Sequence, residues 1–348
     1  NCSSMTGDLD FVLSKNLAYV NVSGCSALKS LDCSSCSLKK LYVSGCLALE
    51  NLDCSSNVLA SLELSGCISL KDLDCSDNSL TNLDISGSLA FEEIDCSSNF
   101  LTNLDVSNCP DLLNLDCSYN NSLISIKASN CSSLEKINFN QYPKETLMRL
   151  DLSGCSALKT LPSLSKMETL IYLNLSDCLS VESITCYKSA LKELYVSGCS
   201  ALKRLYCNEN ALTSLNLSGC SALLYLDCYS NSLNSLNVSS CFALQELNCS
   251  DNSLTYLDVD KCSELRELRC SSNSLTNLDL SGCSELREFS CRNNKISSEI
   301  PLYLWGVDLY LDYRYDYYYE NGETKYIDNN IGWWYPGEPG SGKHDWPD

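Results

Sequence analysis

The sequence predicts a solenoid in which one short unit of β-strands and turns, with very little helix, is stacked on copies of itself. Cysteine recurs in two interleaved rows, and most steps within a row are 21 residues. Leucine recurs in Leu-x-Leu and Leu-x-Cys patterns, which are typical of strands with one buried face. Ser-Gly and Ser-Asn pairs between these patterns indicate turns. A fixed period in the twenties indicates a repeat architecture, so we expect function on a long repetitive surface.

The two cysteine rows cover most of the chain. The first row is Cys25, Cys46, Cys67, Cys109, Cys131, Cys155, Cys178, Cys199, Cys220, Cys241, Cys262 and Cys283. The second row is Cys33, Cys54, Cys75, Cys96, Cys117, Cys186, Cys207, Cys228, Cys249, Cys270 and Cys291. The step from Cys117 to Cys186 is 69 residues, which we interpret as three coils of 23.

One unit illustrates the motif. Residues 49–59 read L-x-x-L-x-C-x-x-N-x-L, and residues 59–70 read L-x-x-L-x-L-x-x-C-x-x-L. This unit resembles the leucine-rich repeat family, in the 21-residue bacterial subclass called IRREKO, and the chain is similar to bacterial cell-surface proteins of that family. The resemblance runs from about Leu17 to about Ile296, or about 13 coils. It implies a right-handed leucine-rich-repeat solenoid of short parallel strands, ending in a β-rich C-terminal cap.

Asparagine follows the second cysteine row at a fixed distance. The positions are Asn57, Asn78, Asn99, Asn120, Asn210, Asn231, Asn252, Asn273 and Asn294. In the family this side chain points inward and satisfies backbone groups at the turn, which suits an amide that both donates and accepts. We therefore interpret the row as a structural ladder.

The 25 cysteines raise the question of a disulfide scaffold. Equivalent cysteines in adjacent coils would lie about 4.8 Å apart with parallel Cα–Cβ bonds, a geometry poorly suited to the disulfide dihedral. Free cysteine also packs well as a small buried hydrophobe. We expect free, buried and unreactive thiols. Cys33 and Cys36 form a C-x-x-C pair, but no second pair or histidine accompanies it, so we expect no zinc.

The repeat pattern divides the chain into three parts. We expect an N-terminal cap or frayed edge over residues 1–16, about 13 repeats over residues 17–299 with irregular coils at 139–190, and an aromatic-rich C-terminal β cap over residues 300–348. A hairpin is expected around Asn321 and Gly322. Cys2 is either a lipid-anchor cysteine or part of a coil resembling the segment around Cys249, and both interpretations stay open.

An acidic row lies between leucine and the second-row cysteine of the early coils. It consists of Asp32, Asp53, Asp74, Asp95 and Asp116, and the row continues through Asn138, Pro162 and Thr185. In-register strands would place these carboxylates about 4.8 Å apart, so some should have raised pKa values or bind cations. We favour a solvated polar row held by neighbouring serines, with a calcium site as the alternative.

In the later coils tyrosines flank or occupy the same strand row, and arginines lie nearby. The candidate binding residues are Tyr187, Tyr206, Tyr225, Tyr229, Arg204, Arg269 and Arg292. Both residue types are enriched at protein interfaces, so we interpret this set as a recognition patch, with packing as the alternative.

The formal net charge of −20 argues against nucleic acid and anionic membranes as partners. No catalytic motif accompanies the one histidine, His344, so we expect neither an enzyme nor a cofactor. The predicted function is protein recognition or adhesion through the exposed strand face. Carbohydrate binding, through the tyrosines or the terminal tryptophans, and a spacer role are the alternatives. The resemblance implies a location outside the cell or at the outer surface of a bacterium. The expected partner is an unidentified protein, of a host surface or matrix, or a glycan, with membrane contact only through a lipid on Cys2.

Overall fold

The computed structural model describes residues 6–14, 16–139 and 146–296, together with the backbone of three later strands. It is a parallel β-solenoid of about 13 turns, which confirms the predicted leucine-rich-repeat fold class. No helix occurs among the described residues. The chain divides into two compact units, Asn1–Leu202 (unit 1) and Lys203–Asp348 (unit 2).

Each coil of unit 1 passes through two strand positions on either side of its core. Sheet I is a seven-stranded parallel sheet formed at the first position, where Leu-x-Cys occurs. Its strands are β1 (Thr6–Asp10), β3 (Ala27–Asp32), β5 (Asn51–Asp53), β6 (Asp72–Asp74), β7 (Glu93–Asp95), β9 (Asn114–Asp116) and β11 (Lys136–Asn138), and β14 (Ser183–Thr185) occupies the same position in a later coil.

The second strand position, where Leu-x-Leu or Leu-x-Val occurs, forms two parallel sheets in unit 1. The first coils contribute β2 (Tyr19–Asn21) and β4 (Lys40–Tyr42), and isolated bridges extend this row to Glu63 and Asp84. Sheet II follows with five strands. They are β8 (Asn103–Asp105), β10 (Ser125–Lys127), β12 (Arg149–Asp151), β13 (Tyr172–Asn174) and β15 (Glu193–Tyr195).

Unit 2 repeats the first strand position in a parallel sheet, sheet III. Its strands in this unit are β16 (Arg204–Tyr206), β17 (Tyr225–Asp227), β18 (Glu246–Asn248), β19 (Glu267–Arg269), β20 (Glu288–Ser290) and β21 (Asp308–Tyr310). The second position is reduced to bridges that link Asn216, Asn237 and Asp258. An antiparallel hairpin follows, β22 (Tyr317–Glu320) with β23 (Glu323–Tyr326), which confirms the hairpin predicted around residues 321–322.

The strands are short because turns follow them at once. In the turn after the first strand, a serine or aspartate such as Ser56 or Asp77 adopts a left-handed backbone, with φ of 52° and 50°. In the turn after the second strand, glycine takes this conformation. A Cβ added to Gly66, at φ 79°, would lie 3.1 Å from the Cα of Gly45, so the Ser-Gly signal marks both a left-handed position and a close approach of coils. Asn108 and Asn130 replace glycine later, each at φ 61°.

The core consists of stacked leucines and cysteines. Every described cysteine is free and buried, as the sequence predicts. Many thiols donate to a carbonyl of an adjacent coil: Cys46 Sγ lies 3.2 Å from Val22 O, and Cys96 Sγ lies 3.4 Å from Asp116 O. Cysteine therefore fills space as leucine would, and in addition contributes a weak hydrogen-bond donor.

The register of the irregular coil differs from the one predicted. The N–H of Leu164 donates to Thr185 O at 3.1 Å, the bond that a second-row cysteine makes elsewhere. Leu164 therefore replaces a cysteine, and Ser163, not Pro162, takes the position of the acidic row. The positions Cys117, Phe139, Leu164 and Cys186 are separated by 22, 25 and 22 residues rather than by three steps of 23. No strand forms between residues 152 and 171.

Cys2, His344 and the four tryptophans of the predicted cap lie outside the described residues. The capping role of residues 300–348 and the predicted domain boundaries stay predictions.

Candidate functional site

The asparagine row joins successive coils by hydrogen bonds. Asn57 Oδ1 accepts from the N–H groups of Cys36 and Leu38 at 3.2 and 2.8 Å. Its Nδ2 donates to the carbonyls of Cys33, Cys54 and Ser55 at 2.9–3.0 Å. One amide thus bonds to five backbone groups of two coils.

The other ladder residues repeat this pattern with small variations. Each donates from Nδ2 to nearby carbonyls: Asn78, Asn99, Asn120, Asn210, Asn231, Asn252, Asn273 and Asn294. In the irregular coils Ser189 occupies the position of the ladder asparagine. Its Oγ donates to Leu164 O at 2.8 Å and accepts from the Met167 N–H at 3.3 Å. The row therefore supports the coil through hydrogen bonds to backbone groups.

The acidic row lies half-buried on the face of sheet I. The serine two residues after each aspartate donates to its Oδ1: the Ser55 N–H lies 2.9 Å and Ser55 Oγ 2.7 Å from Asp53 Oδ1. The same backbone contact recurs at Asp32, Asp74, Asp95 and Asp116. Serines therefore fix the carboxylates in one orientation and use only one oxygen of each.

A groove of about 520 Å³ runs along this face. The acidic residues that line it are Asp32, Asp53, Asp72, Asp74, Glu93, Asp95 and Asp116, and Lys136 lies at one end. Burial, with further contributions from Asp53 and Asp95, raises the pKa of the Asp74 carboxyl above its usual range, although its bonds to Ser76 act against this. Burial also raises the pKa of Asp72, and Glu92 and Glu93 add to that shift.

The groove concentrates negative charge with little compensation. Asn138 Nδ2 donates to Asp116 Oδ2 at 2.9 Å, and Asn114 Nδ2 donates to Glu93 Oε1 at the same distance. Among the described residues, no cation pairs with Asp53 or Asp74. No group of three or more His, Cys, Asp or Glu side chains in the described part of the chain could hold a metal ion.

Three predicted recognition residues meet on sheet III. The guanidinium carbon of Arg204 lies 5.3 Å from the ring centroid of Tyr225, its partner in the next strand. Tyr206 pairs with Asp227 on the same two strands. All three side chains are exposed or half-buried.

The other members of the predicted patch lie elsewhere. Tyr229 follows β17 in a turn, where its N–H donates to Asp227 Oδ1 at 3.1 Å. Arg269 lies two strands beyond Tyr225 and pairs with Glu267 at 2.6 Å and Glu288 at 3.7 Å. Arg292 lies in the turn after β20, and Tyr187 lies in the turn after β14 of unit 1. The structure thus groups Arg204, Tyr206 and Tyr225, with Tyr229 at their border.

Sequence reasoning overlooked a second set of aromatic residues, on sheet II. Arg149 stacks on Tyr172, with 3.9 Å from its guanidinium carbon to the ring centroid, and Tyr172 packs against Tyr195 at 5.7 Å between centroids. A similar pair, Tyr19 and Tyr42, lies 5.4 Å apart on β2 and β4. The sequence does place arginine and tyrosine directly beside the central leucine of several second strands, and this pattern could have revealed the set.

No family model and no curated protein matches this chain. Among solved structures, the functional domain of InlJ from Listeria monocytogenes, described as including a cysteine ladder, is 24% identical, with 88% of this chain and 71% of that chain covered and a TM-score of 0.36. A leucine-rich-repeat protein of Leptospira interrogans is 22% identical, with 88% and 82% covered and a TM-score of 0.41. An internalin, InlF, from Listeria monocytogenes is 18% identical, with 90% and 88% covered and a TM-score of 0.39.

Within the described residues there is no helix that is long and apolar enough to cross a membrane.

Proposed function

We propose that this protein is a non-enzymatic protein-binding module, and that the groove on sheet I receives a basic segment of a partner protein. The observation that carries the proposal is the line of half-buried carboxylates in the groove of about 520 Å³. The groove runs across six of the seven parallel strands of sheet I, so it can hold an extended segment rather than a small molecule.

The orientation of the carboxylates supports a basic partner. Each aspartate uses Oδ1 for a serine, and Asp53 and Asp74 have no cation beside them among the described residues. Their charges are fixed by the turns rather than free to swing away. Lysine or arginine side chains spaced along a bound segment would compensate this charge and, because complementary potentials steer encounter, accelerate association.

The test uses a fluorescein-labelled peptide of nine arginines and an uncharged peptide of nine glutamines. We expect the arginine peptide alone to bind, and the variant Asp53→Asn with Asp74→Asn to weaken that binding about tenfold, since each lost ion pair contributes about 0.5–1 kcal/mol. Fluorescence anisotropy at several salt concentrations measures the affinity, which should fall as salt rises.

The matched control is Glu63→Gln with Asp84→Asn, which removes the same charge from exposed residues of the second strand row. It should leave binding within about twofold of the original protein, since exposed charges of this kind contribute little. Equal losses in both double variants would show that only net charge matters, and the groove proposal would then be wrong.

The patch of Arg204, Tyr206, Tyr225 and Tyr229 is proposed as a second contact area for a protein partner. Stacking of arginine on tyrosine holds both side chains in place, which lowers the entropy lost on binding. The resemblance to bacterial cell-surface proteins supports a location outside the cell. Carbohydrate binding through the terminal tryptophans and a spacer role stay alternatives.

A further inference from the structure

Sheet II carries an ordered row of side chains on its exposed face. In register, Arg149 neighbours Tyr172, which neighbours Glu193. The parallel column runs from Asp151 through Asn174 to Tyr195. Three adjacent coils thus present an arginine, two tyrosines and their polar neighbours on one surface.

The row is held in place before any partner binds. Arg149 covers one side of the Tyr172 ring at 3.9 Å, and Tyr195 packs beside it at 5.7 Å with the rings tilted by 52°. Tyr195 Oη donates to Glu193 Oε2 at 2.9 Å, and this bond with Glu193 raises the pKa of Tyr195. Because Tyr172 already has neighbours on two sides, its ring is not an open platform for a sugar.

Arg149, like Arg204 of unit 2, combines a ring contact with the absence of a carboxylate partner among the described residues, whereas two other strand cations are paired. Lys127 pairs with Asp105 at 3.4 Å, and Arg269 of unit 2 pairs with Glu267. No carboxylate among the described residues pairs with Arg149. A stacked guanidinium without a carboxylate partner keeps its planar set of N–H donors available, and this set matches the two oxygens of a carboxylate.

An apolar row flanks Arg149. Ile124 is 42% exposed and Met148 is 39% exposed, and the Met148 N–H donates to Ile124 O, so they occupy adjacent coils. Ile171 follows in the next coil, where its N–H donates to Met148 O. Arginine, tyrosine and methionine are enriched at protein interfaces, and the exposed Ile124 and half-buried Ile171 add apolar area that a partner can cover.

We propose that this surface of sheet II binds a protein segment that presents a carboxylate next to apolar side chains. The carboxylate pairs with Arg149, and the apolar side chains cover Met148 and Ile124. The chemistry is the opposite of that proposed for the groove, so the two surfaces take different partners or different parts of one partner.

The test pans a random dodecapeptide library displayed on phage against the immobilised protein, with a parallel selection on the variant Arg149→Gln and no removal of clones. We expect enriched sequences with aspartate or glutamate next to aliphatic or aromatic residues. A labelled synthetic peptide of the enriched sequence should bind Arg149→Gln and Tyr172→Ala at least about tenfold more weakly, because the first variant removes the guanidinium and the second removes the ring that holds it in place.

Asp53→Asn with Asp74→Asn serves as the control and should bind this peptide as the original protein does. Arg149 is exposed, so Arg149→Gln should keep the thermal midpoint of the original protein. Enrichment of no sequence, enrichment of basic sequences, or equal binding to Arg149→Gln would overturn the proposal. Binding to a glycan array that is lost in Arg149→Gln would also overturn it, in favour of a carbohydrate ligand.

Discussion

Replacement of Asn78 by alanine is expected to lower the free energy of unfolding by about 3–5 kcal/mol, since each buried polar group left without a partner costs about 1–3 kcal/mol. Asn78 Oδ1 accepts from the Leu59 N–H at 3.0 Å. Its Nδ2 donates to the carbonyls of Cys54, Cys75 and Ser76 at 3.0–3.1 Å. Alanine removes all four bonds from a site that water does not reach.

Urea unfolding measures the loss, and amide hydrogen exchange localises it. Protection of the Leu59 N–H should fall selectively, because that group bonds directly to Asn78. This local measurement matters because long repeat arrays need not unfold in one step. Asn78→Asp should also destabilise the coil, since a carboxylate oxygen would replace the donor that faces three carbonyls.

The control is Asn82→Ala, in the same coil. Asn82 is exposed, so we expect a change within about 0.5 kcal/mol. If Asn78→Ala and Asn82→Ala were equally stable, the asparagine ladder would not be what holds adjacent coils together.

Alkaline pH is expected to unfold the protein between about pH 9 and pH 11, because its thiols are buried in rows. Burial raises the pKa of Cys186 from 9.0 to about 12. Burial raises the pKa of Cys33 to about 12 as well, with neighbouring Cys36 as the next contribution. Neighbouring thiols add to burial in raising the pKa of Cys54 and Cys75.

The sign of the pH effect follows from proton binding. Above pH 9 the unfolded chain loses thiol protons that the folded chain retains, so stability is complete below that pH and falls as pH rises toward the folded pKa. A thiol shifted from 9 to 12 loses about 1.4 kcal/mol of stabilisation at pH 10. The combined loss from a modest number of such thiols therefore exceeds the free energy of unfolding of a typical domain, which is roughly 5–15 kcal/mol.

The variant Cys54→Ala with Cys75→Ala and Cys96→Ala isolates the thiols from lysine and tyrosine, which titrate in the same range. The slope of unfolding free energy against pH, measured by urea unfolding between about pH 8 and 9 where the protein is still folded, should decrease by about 0.7 proton at about pH 8.5, because each of the three thiols is about one-quarter ionised in the unfolded chain at that pH. An unchanged slope would show that these thiols ionise equally in both states and are not buried.

Much of the fold follows from the period of the sequence. Leu52 and Cys54 point inward and Asp53 points outward because alternation fixes the two faces of a strand. The serine contacts of the acidic row follow from the Asp-x-Ser spacing. The Asn57 interactions follow from an amide placed three residues after the cysteine.

A fixed period assigns the wrong residue to a strand position where a coil is longer than the others. Pro162 falls at the predicted strand position, but Ser163 takes the place because the hydrogen bond from Leu164 to Thr185 sets the register. A period alone does not show which residue in a longer coil meets its neighbour.

The sheet II surface could not be predicted from the repeat. Arg149 and Tyr172 are 23 residues apart in the sequence and adjacent only because β12 and β13 pair in that register. Tyr195 lies in the other column, in register with Asn174, but its ring still contacts the ring of Tyr172 because both side chains are large. This contact depends on side-chain packing, which the period of the sequence does not describe.

The stacking of coils around buried, unbridged cysteines is tested most directly by thiol titration with Ellman's reagent at pH 8 without reductant. We predict that no described cysteine reacts in the native protein over an hour, and that all 24 described cysteines react once guanidinium chloride unfolds the chain, with Cys2 as a further thiol where it carries no lipid. Fewer than 24 thiols in the unfolded protein, or rapid reaction of several in the native protein, would contradict the account.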